Sequence, residues 1–231
     1  MTHSTTILPR RAVLAGTLAT SGAVALSACA SGFGGFSFVD AVQRLLFLSS
    51  ERAFDRMTSS GGFWDQQVAQ LGLGQFLGGR GDVLSRILTS ALFKNRLENA
   101  FGDIAWDASR RAAPVVADTI RTIGYQNAVD LIRGGPTGAT SFLRTNMGSR
   151  LIDVMAPDVG SALRVASDPL VGELLSALAG VNTATVATGF ADKIDDVIWD
   201  QIGLEEAAIR RDPRSTNDPV LISVLAGADA F

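Results

Sequence analysis

Paired carboxylates are the first candidates for chemistry in this sequence, because general acid–base catalysis often uses two acidic groups at one site. The chain contains two such pairs, Asp195-Asp196 and Glu205-Glu206. Neighbouring residues on a helix point about 100° apart, so the members of a pair cannot share a proton or a bound water. We therefore predict that both pairs lie on solvated helix faces. Glu206 and Arg210 stand at i and i+4, a spacing that stabilises a helix.

Two further patterns have a chemical interpretation that the sequence does not favour. Ser90 and Lys94 are four residues apart on a predicted helix, but the known Ser-Lys enzymes space these residues three apart. Gly72 and Gly74 lack the third glycine of a dinucleotide-binding loop and follow no predicted strand. We predict neither a nucleophile nor a phosphate site here.

Cys29 is the best-defined modification site in the sequence. It follows Leu26-Ser27-Ala28 at the end of an apolar stretch, residues 12–25, which itself follows Arg10-Arg11. A basic head, an apolar segment shorter than the roughly 20 residues of a membrane span, and a small-residue cleavage site are typical of an export peptide. With no second cysteine, a disulfide within the chain is impossible.

The segment from Leu26 through Ala28 to Cys29 resembles the lipobox of bacterial lipoproteins. The resemblance implies that Cys29 receives a diacylglycerol on its sulfur, and that residues 1–28 are removed as a signal peptide. It also implies that the new amino group is then usually acylated. Two or three acyl chains hold a protein on a bilayer far more firmly than one chain does.

Cleavage would also remove His3, the only histidine. The mature protein would then lack imidazole and free thiol groups, which excludes Ser-His-Asp and Cys-His catalysis and the metal sites that need His or Cys. We expect no cofactor, no metal and no enzyme activity of these kinds.

The export route stays open, and the location is predicted more closely. Arg10 and Arg11, followed by Ala12-Val13-Leu14, resemble the twin-arginine export signal, but an ordinary basic head for general secretion explains them equally well. Ala30 and Ser31 stand where, by family resemblance, an aspartate retains lipoproteins in the inner membrane. We predict a lipid-anchored protein of the cell envelope, at the periplasmic face of the outer membrane.

The remaining chain divides into a short tether and one domain. Residues 29–37 contain the cysteine and a Gly/Ser-rich segment that reaches about 15 Å if flexible, so the domain, residues 38–231, would sit close to the membrane. The chain has 20 basic and 23 acidic residues, and removal of the signal takes away two arginines and no acid. Because no Lys/Arg-rich run is present, we expect no nucleic-acid binding.

Helical spacing dominates residues 38–231 and predicts an all-α, bundle-like domain of about seven to nine helices. The predicted apolar helical stripes run from Phe93 to Ala108, Val116 to Ile123, Phe142 to Met155 and Ile194 to Ile209. The predicted helix boundaries are Asn127 as an N-cap, Gly134-Gly135 as a positive-φ stop, Pro157 as a terminator, and Asp218-Pro219 as the cap and first residue of a terminal helix.

Two segments fit this pattern less well. Residues 61–81 are interrupted by glycines and are predicted to be too flexible for a long helix. Residues 159–190 are rich in small residues and nearly free of charge. The small residues there either let helices approach closely or line an apolar cavity.

Four segments together resemble a bacterial envelope family known as domain of unknown function 4197. They are Ala112-Ala113-Pro114, residues 128–135 from Ala128 to Gly135, residues 139–144 from Ala139 to Arg144, and residues 205–213 from Glu205 to Pro213. The resemblance is best over residues 94–157 and 191–224. It implies an α-helical exported protein, often a lipoprotein, and implies no reaction.

This sequence departs from that family at Phe142-Leu143, where the family favours tyrosine followed by phenylalanine. Arg133, Arg144 and Arg210 need only helix-end electrostatics to explain them. The alternative is that several of these arginines converge on one cleft and form an anion site.

Two classes of function remain at this point. The first is a non-enzymatic binding or scaffolding lipoprotein that holds an apolar ligand between helices or docks an envelope protein partner, with the membrane as its other partner through the lipid anchor. The second is an envelope enzyme that uses carboxylates. The absence of histidine and free cysteine after cleavage favours the first class.

Overall fold

The structure, a computed structural model, describes residues 37–71, 91–165 and 183–228. These residues form eight α-helices and no strand, which confirms the prediction of an all-α domain with about seven to nine helices. In chain order the helices are α1 (Phe38–Thr58), α2 (Phe63–Leu71), α3 (Ala91–Thr122), α4 (Ala128–Arg133), α5 (Gly138–Met147), α6 (Arg150–Val165), α7 (Thr183–Arg211) and α8 (Pro219–Ala228), with a 3₁₀ turn at Pro213–Thr216. None of the helices in these three ranges is long and apolar enough to cross a membrane.

Helix α1 begins with a reciprocal cap. The backbone N–H of Asp40 donates to Ser37 Oγ at 3.1 Å, and the backbone N–H of Ser37 donates to Asp40 Oδ2 at 3.3 Å. This capping box satisfies two helix-end donors within four residues of sequence, so the start of the helix is fixed locally.

The core lies between α7, α1, α3 and α6. Helix α7 packs on α6 and α1, while α3 packs on α1, α2 and α6. The predicted stripe of α3 is buried at Leu97, Phe101 and Ile104, and the Phe101 ring meets the Phe190 ring edge-on at 4.9 Å between centroids. An edge-to-face pair of this kind joins the middle of α3 to the N-terminal part of α7.

The two predicted ends of α4, at Asn127 and Gly134, are correct in position but not in cap geometry, and the predicted terminator Pro157 is wrong. Asn127 has a left-handed backbone, with φ of 61°, and its side chain makes no capping hydrogen bond. Gly134 ends α4 with φ of −62°, so the helix stops without the positive-φ glycine that we predicted. Pro157 lies inside α6, and the break in the predicted stripe occurs earlier, at Gly148, where φ is 55°.

The physical reason for the error at Pro157 is burial on both sides of it. Proline inside a helix costs roughly 3 kcal/mol, because it removes one hydrogen bond and crowds the preceding turn. Met155 before it and Val159 after it are both buried in the core, and each such residue contributes about 1.5–3 kcal/mol. The tertiary contacts therefore continue the helix through the proline. The predicted Asp218 cap is confirmed, because Asp218 Oδ1 accepts from the N–H groups of Val220 and Leu221.

The two segments that fitted poorly are described only in part. Within residues 61–81 the structure has the helix α2, and residues 72–81 lie outside the described residues. Within residues 159–190 the described ends belong to α6 and α7, and a Cβ placed on Gly160 would meet the Ala187 Cβ at 3.4 Å. At this position a small residue serves close helix approach, as the first of the two interpretations expects.

Several sequence predictions concern residues outside the described ranges. They are the export and lipidation residues Arg10, Arg11, Leu26, Ala28 and Cys29, the tether up to residue 36, and Ser90, Gly72 and Gly74. They stay predictions.

Candidate functional site

Glu206 is a fully buried carboxylate that caps another helix. Its Oε1 accepts from the backbone N–H of Ala139 at 3.0 Å, and its Oε2 accepts from the backbone N–H of Thr140 at 2.7 Å. These N–H groups belong to the first turn of α5, where backbone donors have no partner within the helix and the helix dipole favours negative charge. An anion position at the N-terminus of α5 is therefore occupied by the protein itself.

Arg210 completes this arrangement on the opposite side of Glu206. Its Nε donates to Glu206 Oε1 at 2.8 Å, and its two terminal nitrogens donate to the backbone carbonyls of Ile132 and Leu131 at 2.6 and 2.7 Å. These carbonyls lie in the last turn of α4, so one ion pair on α7 holds the end of α4 and the start of α5. We call Glu206, Arg210 and the four backbone groups the α7 clamp.

The α7 clamp joins three of the four segments that carry the family resemblance. Residues 128–135, 139–144 and 205–213 are far apart in sequence and meet here. The chain also approaches α7 closely between α4 and α5, because a Cβ on Gly203 would lie 3.2 Å from Thr137 Cγ2. The role of these segments at this position is to hold helices together.

A second buried carboxylate lies on α7 at Asp195. The indole N–H of Trp199 donates to Asp195 Oδ1 at 2.9 Å, and an Arg144 nitrogen lies 3.4 Å from Asp195 Oδ2. The same Arg144 nitrogen donates to Asp196 at 2.6 Å, and Lys193 donates to Asp196 at 3.2 Å. Arg144 therefore ties α5 to both members of the acidic pair on α7.

The pKa values of the two neighbouring aspartates are shifted in opposite directions. Burial raises the pKa of Asp195 to about 6, more than its contacts with Trp199 and Arg144 lower it. Burial also raises the pKa of Asp196, but hydrogen bonds from Arg144 and Lys193 outweigh it and hold that pKa below its ordinary value. Asp196 is partly exposed, and Asp195 has a side chain that is only 5% exposed.

The prediction that both acidic pairs are solvated is wrong for three of the four residues. Asp195, Glu205 and Glu206 are buried, and only Asp196 is partly exposed. Glu205 accepts a hydrogen bond from Arg56 of α1, which also reaches Gln201 at 3.4 Å. The angle between neighbours on a helix did exclude a shared proton, but it gave no information about which partners the other helices would supply.

The arginines proposed for an anion site contact different groups. Arg210 and Arg144 bind carboxylates that lie three turns apart on α7, about 16 Å along its axis. Arg133 is an exposed residue at the end of α4. The structure thus brings Glu206 and Arg210 together, as their spacing predicts, and does not bring Arg144 and Arg210 to one cleft. Lys94, the other half of the Ser-Lys hypothesis, lies 3.5 Å from Glu98.

A different feature has the form of a binding site. A cleft of about 320 Å³ lies between the segment that joins α1 to α2 and the middle of α3. We call it the aromatic cleft. Its aromatic walls are Phe63, Trp64 and Trp106, and its carboxylates are Asp65 and Asp103; the remaining lining residues are Met57, Ser59, Ser60, Gly61, Gly62 and Gly102.

Trp64 is the unusual member of the aromatic cleft. Its side chain is packed edge-on against Phe63, and the residue is 3% exposed, but its Nε1 has no hydrogen-bond partner in residues 37–71, 91–165 and 183–228. The matching donor of Trp106 is satisfied, because Trp106 Nε1 donates to the Thr58 carbonyl at 3.0 Å. A buried donor without a partner costs about 1–3 kcal/mol, so the Trp64 N–H needs an explanation other than stability.

A second, mainly apolar groove of about 440 Å³ lies between α1 and α3. Phe47, Phe54 and Pro114 line it, together with Ser50, whose buried Oγ also lacks a partner. Pro114 has no N–H, so the Arg110 carbonyl cannot receive its usual bond within α3. Nothing in the structure identifies an occupant for this groove.

Sequence analysis missed the aromatic cleft. Phe63, Trp64 and Trp106 come from two segments more than thirty residues apart, in a glycine-rich region that was predicted only to be flexible. The one available sign was Phe63-Trp64-Asp65 directly after Gly61-Gly62, and this pattern is common in cores as well. Among the described residues, no three His, Cys, Asp or Glu side chains lie close enough together to hold a metal ion.

A model of one protein family matches most of the chain. Its description is "Protein of unknown function (DUF4197)", and it covers residues 34–226. Neither a curated protein nor a solved structure matches this chain.

Proposed function

This chain belongs to the family described as Protein of unknown function (DUF4197), and we propose that it is a lipid-anchored envelope protein that works by binding rather than by catalysis. Its place would be the periplasmic face of the outer membrane. The ligand site would be the aromatic cleft. The family description names no activity, so each part of this proposal depends on the residues of this chain.

The anchor is supported by sequence context. Cys29 follows Leu26-Ser27-Ala28, and the apolar and basic segments of an export peptide come before it. The capped start of α1 at Ser37 and Phe38 comes a few residues after Cys29. A tether of that length would keep the domain within roughly 30 Å of its lipid, since extended chain spans about 3.3–3.6 Å per residue.

The observation that carries the binding proposal is the unpartnered N–H of Trp64 in the aromatic cleft. Aromatic walls with a small number of polar groups are the usual composition of small-molecule sites. Elsewhere in the described residues the buried charges are engaged by the protein: Glu206 by Arg210 and backbone N–H groups, Asp195 by Trp199, and Glu205 by Arg56. Trp64 lines the aromatic cleft, and its buried N–H is the polar group there that has no partner among the described residues.

A carboxylate enzyme is the second candidate, and Asp195 is the observation that favours it. A carboxyl with a pKa of about 6 is suited to proton transfer near neutral pH. However, its oxygens already bind Trp199 and Arg144, and its side chain is almost fully buried. We therefore rank binding above catalysis.

Acylation tests the first part of the proposal. In a host that acylates lipoproteins, the wild type should incorporate labelled palmitate and sediment with outer membranes, whereas Cys29→Ala should do neither. The matched control is Ser27→Ala, which keeps the cysteine and should behave as the wild type. Label on Cys29→Ala would contradict the anchor.

Native mass spectrometry of the full-length protein, purified in a mild non-ionic detergent, tests the second part. We expect an extra mass beyond the acylated chain in the wild type. It should be lost in Ser60→Trp, which fills the cleft, and retained in Gln66→Trp, which places the same side chain on an exposed position of α2 outside the cleft. Equal retention in both variants would place the ligand elsewhere.

A further inference from the structure

We infer that the ligand of the aromatic cleft is an organic cation, an ammonium group on a small carbon skeleton with an oxygen acceptor nearby. This inference rests on the proposed function and deepens it. Asp65 and Asp103 would bind the positive charge, the three aromatic rings would contact the carbon atoms, and the Trp64 N–H would donate to the oxygen.

Two glycines leave room for the Asp65 carboxylate. A Cβ placed on Gly102 of α3 would lie 2.3 Å from Asp65 Oδ1, and a Cβ on Gly62 would lie 3.2 Å from Asp65 Oδ2. Any side chain at Gly102 would thus occupy the place of the carboxylate. Gly62 also has φ of 67°, which favours glycine there independently. The carboxylate therefore takes up the space that side chains at Gly62 and Gly102 would need, and Asp65 is exposed to solvent.

The carboxylates of the cleft have no ion-pair partner among the described residues. In the three ranges that the structure describes, no lysine or arginine makes an ion pair with Asp65 or Asp103. By contrast, the carboxylates of α7 at Asp195 and Glu206 each have an arginine within 3.4 Å. Two carboxylates beside a hydrophobic wall favour a ligand that carries an ammonium group over one that carries no positive charge.

The aromatic rings of the cleft also attract positively charged groups. The Arg110 guanidinium lies 4.7 Å from the centroid of the Trp106 ring, so one face of that ring already receives a cation. Aromatic rings attract ammonium and guanidinium groups through the negative charge of their faces, and aromatic sites that bind quaternary ammonium ligands use this effect. Phe63 and Trp64 supply two further rings beside Asp65.

The Trp64 donor requires more of the ligand than a positive charge. Trp64 lines the cleft, and its Nε1 is buried and unpartnered, so a bound ligand that supplies an oxygen acceptor would satisfy it. An ammonium with a phosphate, carboxylate or hydroxyl oxygen a few bonds away fits both demands, and the volume of about 320 Å³ admits a group of that size. Such a group could come from a lipid headgroup or from a free metabolite.

The test is calorimetric titration of the full-length protein in a non-ionic detergent, with tetramethylammonium chloride as the probe and sodium chloride at the same ionic strength as reference. We expect saturable binding of the probe and none of sodium. Asp65→Asn and Asp103→Asn should each raise the Kd at least tenfold. Asp107→Asn removes the same charge from an exposed position of α3 outside the cleft and should change the Kd less than twofold.

Two results would overturn the inference: no saturable binding of the probe, or an equal loss of affinity in Asp107→Asn. Because Asp103 is exposed, Asp103→Asn remains informative if Asp65→Asn disturbs the fold, which thermal melting will reveal. If tetramethylammonium does not bind but Ser60→Trp still abolishes retention of a copurifying mass, the binding function stands and the cation is wrong.

A second pair of probes distinguishes the two sources. Glycerophosphoethanolamine and dihexanoyl phosphatidylethanolamine share the ammonium and the phosphodiester and have the same net charge, and both should bind with the dependence on Asp65 and Asp103 given above. At least tenfold tighter binding of the lipid would assign the site to a headgroup at the membrane. Equal affinities would assign it to a free metabolite. If neither binds although tetramethylammonium does, the oxygen acceptor is wrong.

Discussion

The α7 clamp and the aromatic cleft differ in whether their polar groups have partners within the described residues. In the clamp, the Glu206 carboxylate and the Arg210 guanidinium bind each other and four backbone groups, so the buried charge is satisfied by the protein. In the cleft, the Trp64 N–H has no hydrogen-bond partner and the Asp65 carboxylate makes no ion pair with any of the residues that the structure describes. A satisfied buried network fixes a fold, whereas unsatisfied groups at a surface cleft are available to bind something else.

The same difference is found between two tryptophan side chains. Trp199 and Trp64 are both buried, at 2% and 3% exposure. The Trp199 N–H donates to Asp195 at 2.9 Å, and the Trp64 N–H donates to nothing. Burial alone therefore does not separate a structural residue from a candidate ligand contact, and the hydrogen-bond partner does.

The largest effect is expected at the clamp. Glu206→Ala leaves Arg210 without its carboxylate and the N-terminus of α5 without its cap, and removal of one partner of a buried ion pair costs about 3–5 kcal/mol. Urea unfolding should report this as a lower midpoint. Asp200→Ala, which removes an exposed acid from the same helix, should change the unfolding free energy by about 0.5 kcal/mol or less. Equal losses would mean that the clamp has no special role.

The next effect is a pH dependence at Asp195. Its pKa is about 6 in the folded protein and 3.8 ordinarily, so the folded state binds more protons between these values. Proton binding at Asp195 therefore contributes fully to the free energy of unfolding below about pH 4, and this contribution is lost as the pH rises through 6. Asp195→Asn cannot ionise. The free energy of unfolding of Asp195→Asn, relative to that of the wild type, should therefore rise by up to about 3 kcal/mol between pH 4 and pH 7.5.

Urea unfolding of both proteins at the two pH values measures this difference. Asp200→Asn is the matched control, since Asp200 is an exposed acid on the same helix and is not among the charges that shift the pKa of Asp195. A constant difference between Asp195→Asn and wild type across the pH range would contradict the raised pKa.

A smaller effect is expected where the cleft meets α3. Gly102→Ala forces the Asp65 carboxylate out of its place, which should cost about 1–2 kcal/mol although alanine favours helix over glycine. The double variant with Asp65→Ala should recover most of that loss, because the clash is then gone. Thermal unfolding of the two single variants and the double variant gives the coupling. Additive losses would mean that the carboxylate does not lie against Gly102.

The smallest predicted effect is the difference in unfolding free energy between Trp199→Phe and Trp64→Phe. Trp199→Phe and Trp64→Phe remove a similar volume, but only the first breaks a hydrogen bond and leaves Asp195 without its donor. Trp199→Phe should therefore be more destabilising, by about 1 kcal/mol. Urea unfolding at pH 7.5 measures the difference. If Trp64→Phe is the more destabilising variant, the Trp64 N–H has a structural partner and the cleft loses its main support as a binding site.

Much of the fold followed from local sequence. The spacing of Leu97, Phe101 and Ile104 predicted a buried stripe, and Asp218-Pro219 predicted the start of the last helix. Both are short-range patterns, in which the hydrogen bonds or the buried face involve residues within one or two turns of each other. Local patterns failed where distant contacts took over, as at Pro157, which burial keeps inside α6.

The candidate site was less accessible to sequence reasoning. The spacing of Glu206 and Arg210 predicted their ion pair, but not that both would be buried against α4 and α5. The acidic pairs were predicted to be solvated because a sequence shows the charge of a residue and not its partner. The aromatic cleft depends on α3 passing close to Asp65 at Gly102, a contact between residues 37 positions apart in the sequence.

The sequence by itself determined the helical class, the family and an expected anchor at Cys29, because periodicity, composition and short motifs are properties of adjacent residues. The tertiary structure decided which charged groups of the described residues form ion pairs or hydrogen bonds within the protein and which do not. Whether Asp195 is a solvated acid or a buried one depends on how other helices, among them α5 with Arg144, pack against α7. Whether the Trp64 N–H has a partner among the described residues likewise depends on which groups the fold brings within hydrogen-bond distance of it.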